Sequence, residues 1–257
     1  MNYSFTLYDL EYFLLLLVRI LSFIGTAPFF GAKTVPKRIK ILMAVVVSFL
    51  VFQVTQDTKV EYSGVIEYAT FVIEEAVVGM LLGLISNICV QVIYFAGNFV
   101  DMDMGFAMAT LLDPATGINI SVTGNLYYYL VMAMFLVTDM HQYLIKAIVD
   151  TYQVIPVGGL IIRASLYEHL IDFAANYFLI GFRIALPVFA TILLVNSILG
   201  ILAKIAPQMN MFVIGLQLKV LAGLVILLAM AGMLPVISDF IFDQIKKMII
   251  FTVEGMH

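Results

Sequence analysis

Between Ala76 and Val100 the chain carries no charged residue, and a second charge-free run covers Ile184 to Ala203. Each run matches the roughly 20 apolar residues that a helix needs to cross the hydrocarbon layer of a membrane. With 63% of its 257 residues hydrophobic, 12% charged and a mean hydropathy of +1.08, the chain lies far outside the range of soluble globular domains. Backbone polar groups in lipid must be satisfied by a helix or a closed barrel, and charge-free runs of this length are those of helices, so the expected fold class is an all-α integral membrane-type protein. The length accommodates about six long hydrophobic helices in hairpins, read as a single membrane domain over residues 1–257.

The stretch between the two runs that fits neither pattern is Gly105 to Gly124, GFAMATLLDPATGINISVTG. Pro114 lacks an N–H and disfavours the α region at Asp113, so a turn is expected there. Thr116-Gly117 and Asn119 to Ser121 mix turn formers with β-branched residues, which predicts irregular backbone under largely apolar side chains. At membrane depth such backbone must be buried in protein or line a cavity. A pore-lining or pore-closing loop and a short extramembrane connector both satisfy that requirement.

Charge narrows the partners. The formal net charge is −4, and no Lys/Arg run suggests nucleic acid or a polybasic lipid patch. Cys89, the only cysteine, lies in an apolar run and reads as an inert core residue. Asp9 and Glu11 precede the first apolar run without a basic region before them, so that run is expected to be retained as a helix. Tryptophan is absent, leaving any interfacial aromatic belt to tyrosine and phenylalanine, as in the Tyr127 to Tyr129 cluster.

Taken in order, the first apolar segment spans about Tyr8 to Ile24 and holds Arg19, which must face a partner group or reach an interface. Lys33, Lys37, Arg38 and Lys40 make the next connector cytoplasmic by the positive-inside rule. The segment Ile41 to Val54 is short for a span. A helical pattern then begins near Val65, passes Glu67, Glu74 and Glu75, and runs to Val100, too long for one simple crossing. Gly79 and Gly83 place two small residues on one helix face, where a second helix can approach. Glu74 and Glu75 need partners or water. Asp101 and Asp103 read as helix-terminating, hydrated residues, since no third ligand stands near enough to hold a metal.

Beyond the central stretch, a short apolar segment covers Leu126 to Val137, and Ile155-Pro156-Val157-Gly158-Gly159 marks a break between two halves. Ser165 with Glu168 reads as a capping box. Arg183 interrupts the next helix before Pro187 and reads as a buried charge among apolar neighbours, and Lys204 to Gln208 turns the chain into Met211 to Pro235, giving one helical hairpin. Ser238 to His257 reads as an amphipathic helix. His141, His169 and His257 are far apart, and no Walker A, GxSxG or HExxH pattern occurs, so no catalytic residues, metal or cofactor are expected. The methionines around the central stretch, such as Met102, Met104 and Met108, could form a deformable seal or simply fill a core.

Three stretches together resemble the FliR family of flagellar type III export-gate proteins, related to the T component of injectisome gates: RILSFIGTAPFFGAKTVPKRIKI at Arg19 to Ile41, AGNFVDMDMGFAMATLLDP at Ala96 to Pro114, and LPVFATILLVNSILGILAKIAPQMNMFVIGLQLK at Leu186 to Lys219. Their order and spacing cover nearly the whole chain. The resemblance implies a component of the gate that exports unfolded flagellar subunits, built with FliP-like and FliQ-like subunits, in the bacterial inner membrane at the flagellar basal body. It implies a FliP-like part over residues 1–160 and a FliQ-like hairpin with its C-terminal helix over residues 161–257. It implies that residues 105–124 are the plug, with Phe106, Met108, Leu111, Leu112 and Ile118 as the seal, Asp113-Pro114 fixing the turn, and Gly105, Gly117 and Gly124 as hinges. By the same analogy Lys204 and Lys219 contact a FlhB-like switch protein. It also implies that many of these helices sit in an assembly raised out of the bilayer plane.

The rival from another class is an ion-coupled small-molecule transporter, with Glu74, Glu75, Asp101 and Asp103 as a relay. A membrane transferase built on Asp101 and Asp103 lacks further ligands and ranks last.

Overall fold

The computed structural model describes residues 6–55, 62–106, 121–208 and 210–257. Its elements, all helical among the described residues, are α1 (Leu7–Thr26), α2 (Lys37–Val54), α3 (Val65–Met104), α4 (Val122–Val137), α5 (Met140–Val154), α6 (Ala164–Ile205), α7 (Met211–Ala229) and α8 (Leu234–Glu254), with a 3-10 turn at Met230–Met233. By length and apolarity Val65–Met104, Ala164–Ile205 and the continuous Met211–Glu254 can cross a membrane, and Val122–Val137 is a shorter apolar helix. The fold is all-α and of membrane type, as the composition requires.

Local chemistry sets the helix ends. Thr6 and Asp9 form a capping box at α1, the Thr6 N–H donating to Asp9 Oδ2 at 2.8 Å and the Asp9 N–H to Thr6 Oγ1 at 3.4 Å. Pro28 then bars continuation beyond Ala27. At α3 the Glu67 carboxylate accepts from the Ser63 N–H and hydroxyl. The expected capping box at Ser165 is not the start of α6, because that helix begins at Ala164. The preceding residues are held instead by the chain end: the Ile161 N–H donates to Met256 O at 3.2 Å and the Arg163 N–H to Gly255 O at 2.9 Å. Pro187 lies inside α6.

The chain divides into two compact units, each assembled from separated stretches. The first comprises Met1–Cys89, Asp139–Asp172 and Phe242–His257. Its core joins Leu15, Leu16, Ile20 and Phe23 of α1, Val78 and Leu82 of α3, Leu144 and Ile148 of α5, and Ile245 of α8. Gly79 and Gly83 lie where α1 packs on α3. A Cβ on Gly79 would overlap the Arg19 carbonyl, and one on Gly83 would overlap the Thr26 hydroxyl. The second unit comprises Val90–Thr138 and Phe173–Ile241. There Gly215 of α7 faces Leu199 of α6, and Gly223 faces Met104 of α3.

Candidate functional site

Two polar clusters stand in these apolar units. In the first unit, Arg19 is fully buried in α1. Its Nε lies 2.5 Å from Glu75 Oε2 and its Nη2 2.8 Å from Glu75 Oε1, a bidentate pair to α3. Nη1 donates to Ile155 O at 3.0 Å and to Thr151 Oγ1 at 3.3 Å. The guanidinium lies 4.2 Å from the Tyr152 ring centroid, and the Gly158 N–H donates to Glu75 Oε1 at 3.3 Å. One cation thus joins α1, α3, the end of α5 and the break that follows it. Burial pushes the Tyr152 phenol well above the ordinary tyrosine range. Glu74 is half-buried beside this cluster, with Oε2 buried and without a hydrogen-bond partner.

In the second unit, Asp101 is buried near the end of α3. Its Oδ2 accepts from the Ser121 hydroxyl at 2.7 Å, and its Oδ1 accepts from the Thr123 hydroxyl at 2.5 Å and the Thr123 N–H at 3.2 Å. Ser121 in turn caps α4, its Oγ accepting from the Gly124 N–H at 2.8 Å. One turn back, Gly97 meets Gly124, and a further turn back Tyr94 stacks on Tyr128 with centroids 4.7 Å apart while its hydroxyl donates to Asn125 Oδ1 at 3.2 Å. These pairings run in opposite senses along α3 and α4. The two helices form an antiparallel hairpin, and Asp101 clasps it where the central stretch leaves and returns. Asp101 is therefore buried with protein donors on both carboxylate oxygens, whereas the sequence reading expected a solvent-facing helix end. Ser121-x-Thr123 before an apolar run is an N-cap signal that could have revealed its partner.

Beside the clasp lies a cavity of about 370 Å³ lined by Met102, Asp103, Leu199, Phe212, Leu216 and Lys219, among others. Lys219 and Asp103 share this cavity, whereas Lys204 is exposed in the last turn of α6. Gly105 has φ +89, a conformation suited to glycine, and ends α3. Phe106 is half-exposed. Met108, Leu111, Leu112, Asp113, Pro114, Gly117 and Ile118 lie outside the described residues. Gly124, expected as a hinge, sits inside the first turn of α4 at a tight backbone crossing. Arg183, expected to be a buried charge, is exposed: Gly181, Ala185 and Val188 form the inward face of α6, and Arg183 falls on another. Glu74 and Glu75 belong to one unit, Asp101 and Asp103 to the other. No group of His, Cys, Asp or Glu among the described residues could hold a metal.

Comparison with known proteins places these features in a family. The description of bacterial export proteins, family 1, matches residues 10–245. The flagellar biosynthetic protein FliR of Escherichia coli (strain K12) is 30% identical over 237 residues, covering 91% of this chain and 89% of that protein. Its counterpart in Bacillus subtilis (strain 168) is 31% identical over 247 residues, covering 95% and 92%. That of Aquifex aeolicus (strain VF5) is 26% identical over 237 residues, covering 92% of each. The chain belongs to the FliR family of bacterial export proteins and is a membrane component of flagellar protein export.

Proposed function

We propose that this chain is a subunit of the flagellar export gate and forms, with FliP-like and FliQ-like subunits, the pore through which unfolded flagellar proteins leave the cytoplasm. The observation that carries this reading is the openness of its apolar helices. In the most apolar window of Ala164–Ile205, and again in that of Met211–Glu254, only 22% of the residues are buried within the chain. Helices so bare of their own neighbours need lipid or other subunits around them. Family membership favours subunits.

The central stretch closes that pore. Support comes from the resemblance and from the Asp101 clasp, which holds the two ends of the stretch together at the tip of a hairpin. The gate is a passive conduit without enzymatic chemistry, set in the bacterial inner membrane at the flagellar basal body, and Lys204 and Lys219 contact a FlhB-like switch protein there. The transporter reading is weaker, because Arg19 neutralises Glu75 and the Asp101 oxygens are already occupied.

The test is the native mass of the chain in mild detergent, expressed alone and together with FliP-like and FliQ-like subunits. One defined hetero-oligomer supports the gate. A chain that stays alone or self-associates in both preparations argues against it and sends attention to substrate-dependent uptake.

A further inference from the structure

We propose that α2 is a docking face for acidic phospholipid, with Lys33, Lys37 and Arg38 holding the headgroup phosphate and the acyl chains lying along the helix's open apolar side. α2 packs on α1 through one narrow stripe, Ala44, Ser48, Val51 and Phe52, with Phe52 against Tyr12 and Phe13. The rest of its surface is apolar and open: Ile39, Leu42, Val46, Phe49 and Leu50 are all exposed, Leu42 by 62%. Water is a poor partner for that face.

The charge at its beginning selects the occupant. From residue 12 to residue 56 the chain has no Asp or Glu, and the cation of this stretch that does have a carboxylate partner is Arg19, buried in its pair with Glu75. Lys33, Lys37 and Arg38 are exposed and make no ion pair among the described residues. Lys40 has another task. Its Nζ donates to Gly31 O at 2.9 Å and pins the turn that carries Lys33 against the start of α2. The positive end of the helix dipole adds to the same field. A row of apolar side chains ending in unpaired cations is the complement of an acidic lipid, apolar in its tails and anionic at its head. The apolar part, Ile39 to Val54, is about 24 Å long at 1.5 Å per residue, shorter than the ~30 Å hydrocarbon core. One end can therefore sit among headgroups, and the cations mark which.

The proposal departs from the expectation that no polybasic lipid patch exists. In sequence the four cations are spread over eight positions and punctuated by Thr34, Val35 and Pro36, and the Lys40–Gly31 bond ties the start of the turn that carries Lys33 to the first turn of α2.

Because the chain has no tryptophan, Leu42→Trp gives a single fluorescent reporter on this face. The reporter is reconstituted into phosphatidylcholine vesicles containing equal mole fractions of either brominated phosphatidylglycerol or brominated phosphatidylcholine. The expected result is preferential quenching by the acidic lipid, with relative binding at least fivefold in its favour, since each surface cation contributes roughly that factor. The preference should vanish in K33Q/K37Q/R38Q and persist in K33R/K37R/R38K, with helicity unchanged in both. Leu221→Trp on α7 should show no headgroup preference. Equal quenching by both lipids would overturn the proposal. So would protection from both, which would show that protein covers this face.

Discussion

Gly97 of α3 and Gly124 of α4 cross backbone to backbone: a Cβ on Gly97 would overlap the Gly124 N and Cα. No rotamer change can relieve such an overlap, because main chain stands on both sides. Gly97→Ala should therefore destabilise the hairpin by about 1–3 kcal/mol. Gly200→Ala in α6, where nothing lies within 4 Å, should stabilise its helix by up to about 1 kcal/mol through lost backbone freedom in the unfolded chain. Thermal unfolding in detergent, followed by circular dichroism, distinguishes the opposite signs. A neutral Gly97→Ala would contradict the crossing.

Arg19 and Glu75 form a fully desolvated pair, so removing either partner strands a charge in an apolar interior. Arg19→Ala or Glu75→Ala should each cost about 3–5 kcal/mol. The double replacement Arg19→Met with Glu75→Leu should cost much less than the sum, because it leaves no orphan charge. Additive losses in that double-mutant cycle would show that the two side chains act independently.

Asp101 serves the donors of Ser121 and Thr123 together. Asp101→Ala leaves those donors buried and unpaired and should cost about 1–3 kcal/mol for each group that finds no substitute. Asp101→Asn keeps one carbonyl acceptor and should fall between the alanine variant and the native chain. Proteolytic susceptibility near residues 105–121 should rise in the same order. Equal resistance in all three chains would remove Asp101 as the clasp.

Tyr62 donates its hydroxyl to the Glu11 carboxylate, and that bond is the main cause that pushes its pKa up from 10 to about 12. The folded state therefore holds this proton more tightly than the unfolded state. Its contribution to stability is complete below about pH 10 and is lost as pH rises through about 12. Ultraviolet titration of tyrosine ionisation should lose one late-titrating group in Tyr62→Phe and regain an ordinary one in Glu11→Gln. No change in either variant would contradict the bond.

Much of the fold is legible in the sequence because apolar runs and breakers announce it. The break at Ile155 to Gly159 ends α5, and the turn before Met211 separates α6 from α7. Arg19 stands out as a lone charge in an apolar run. Its partner does not, because Glu74 and Glu75 are sequence neighbours and only the facing of α3 decides which one turns inward. Ser165 misleads for a similar reason: the start of α6 is set by hydrogen bonds to Gly255 and Met256, some ninety positions away, and not by its own first turn. Asp101 reads as a hydrated terminus because Ser121 and Thr123 stand across the central stretch. Arg183 reads as buried because its neighbours are apolar, yet in a membrane-type helix an apolar neighbourhood does not mean an inward face.

In the proposed gate the stretch clasped at Asp101 closes a conduit formed with FliP-like and FliQ-like subunits. That closure is tested by the ionic conductance of the co-purified assembly in planar bilayers, native against a deletion of residues 110–120 that spares Ser121 and hence the cap of α4. With equal native mass in both preparations, the account predicts a quiet native assembly and a conducting deletion. Conductance that is the same in both would contradict it.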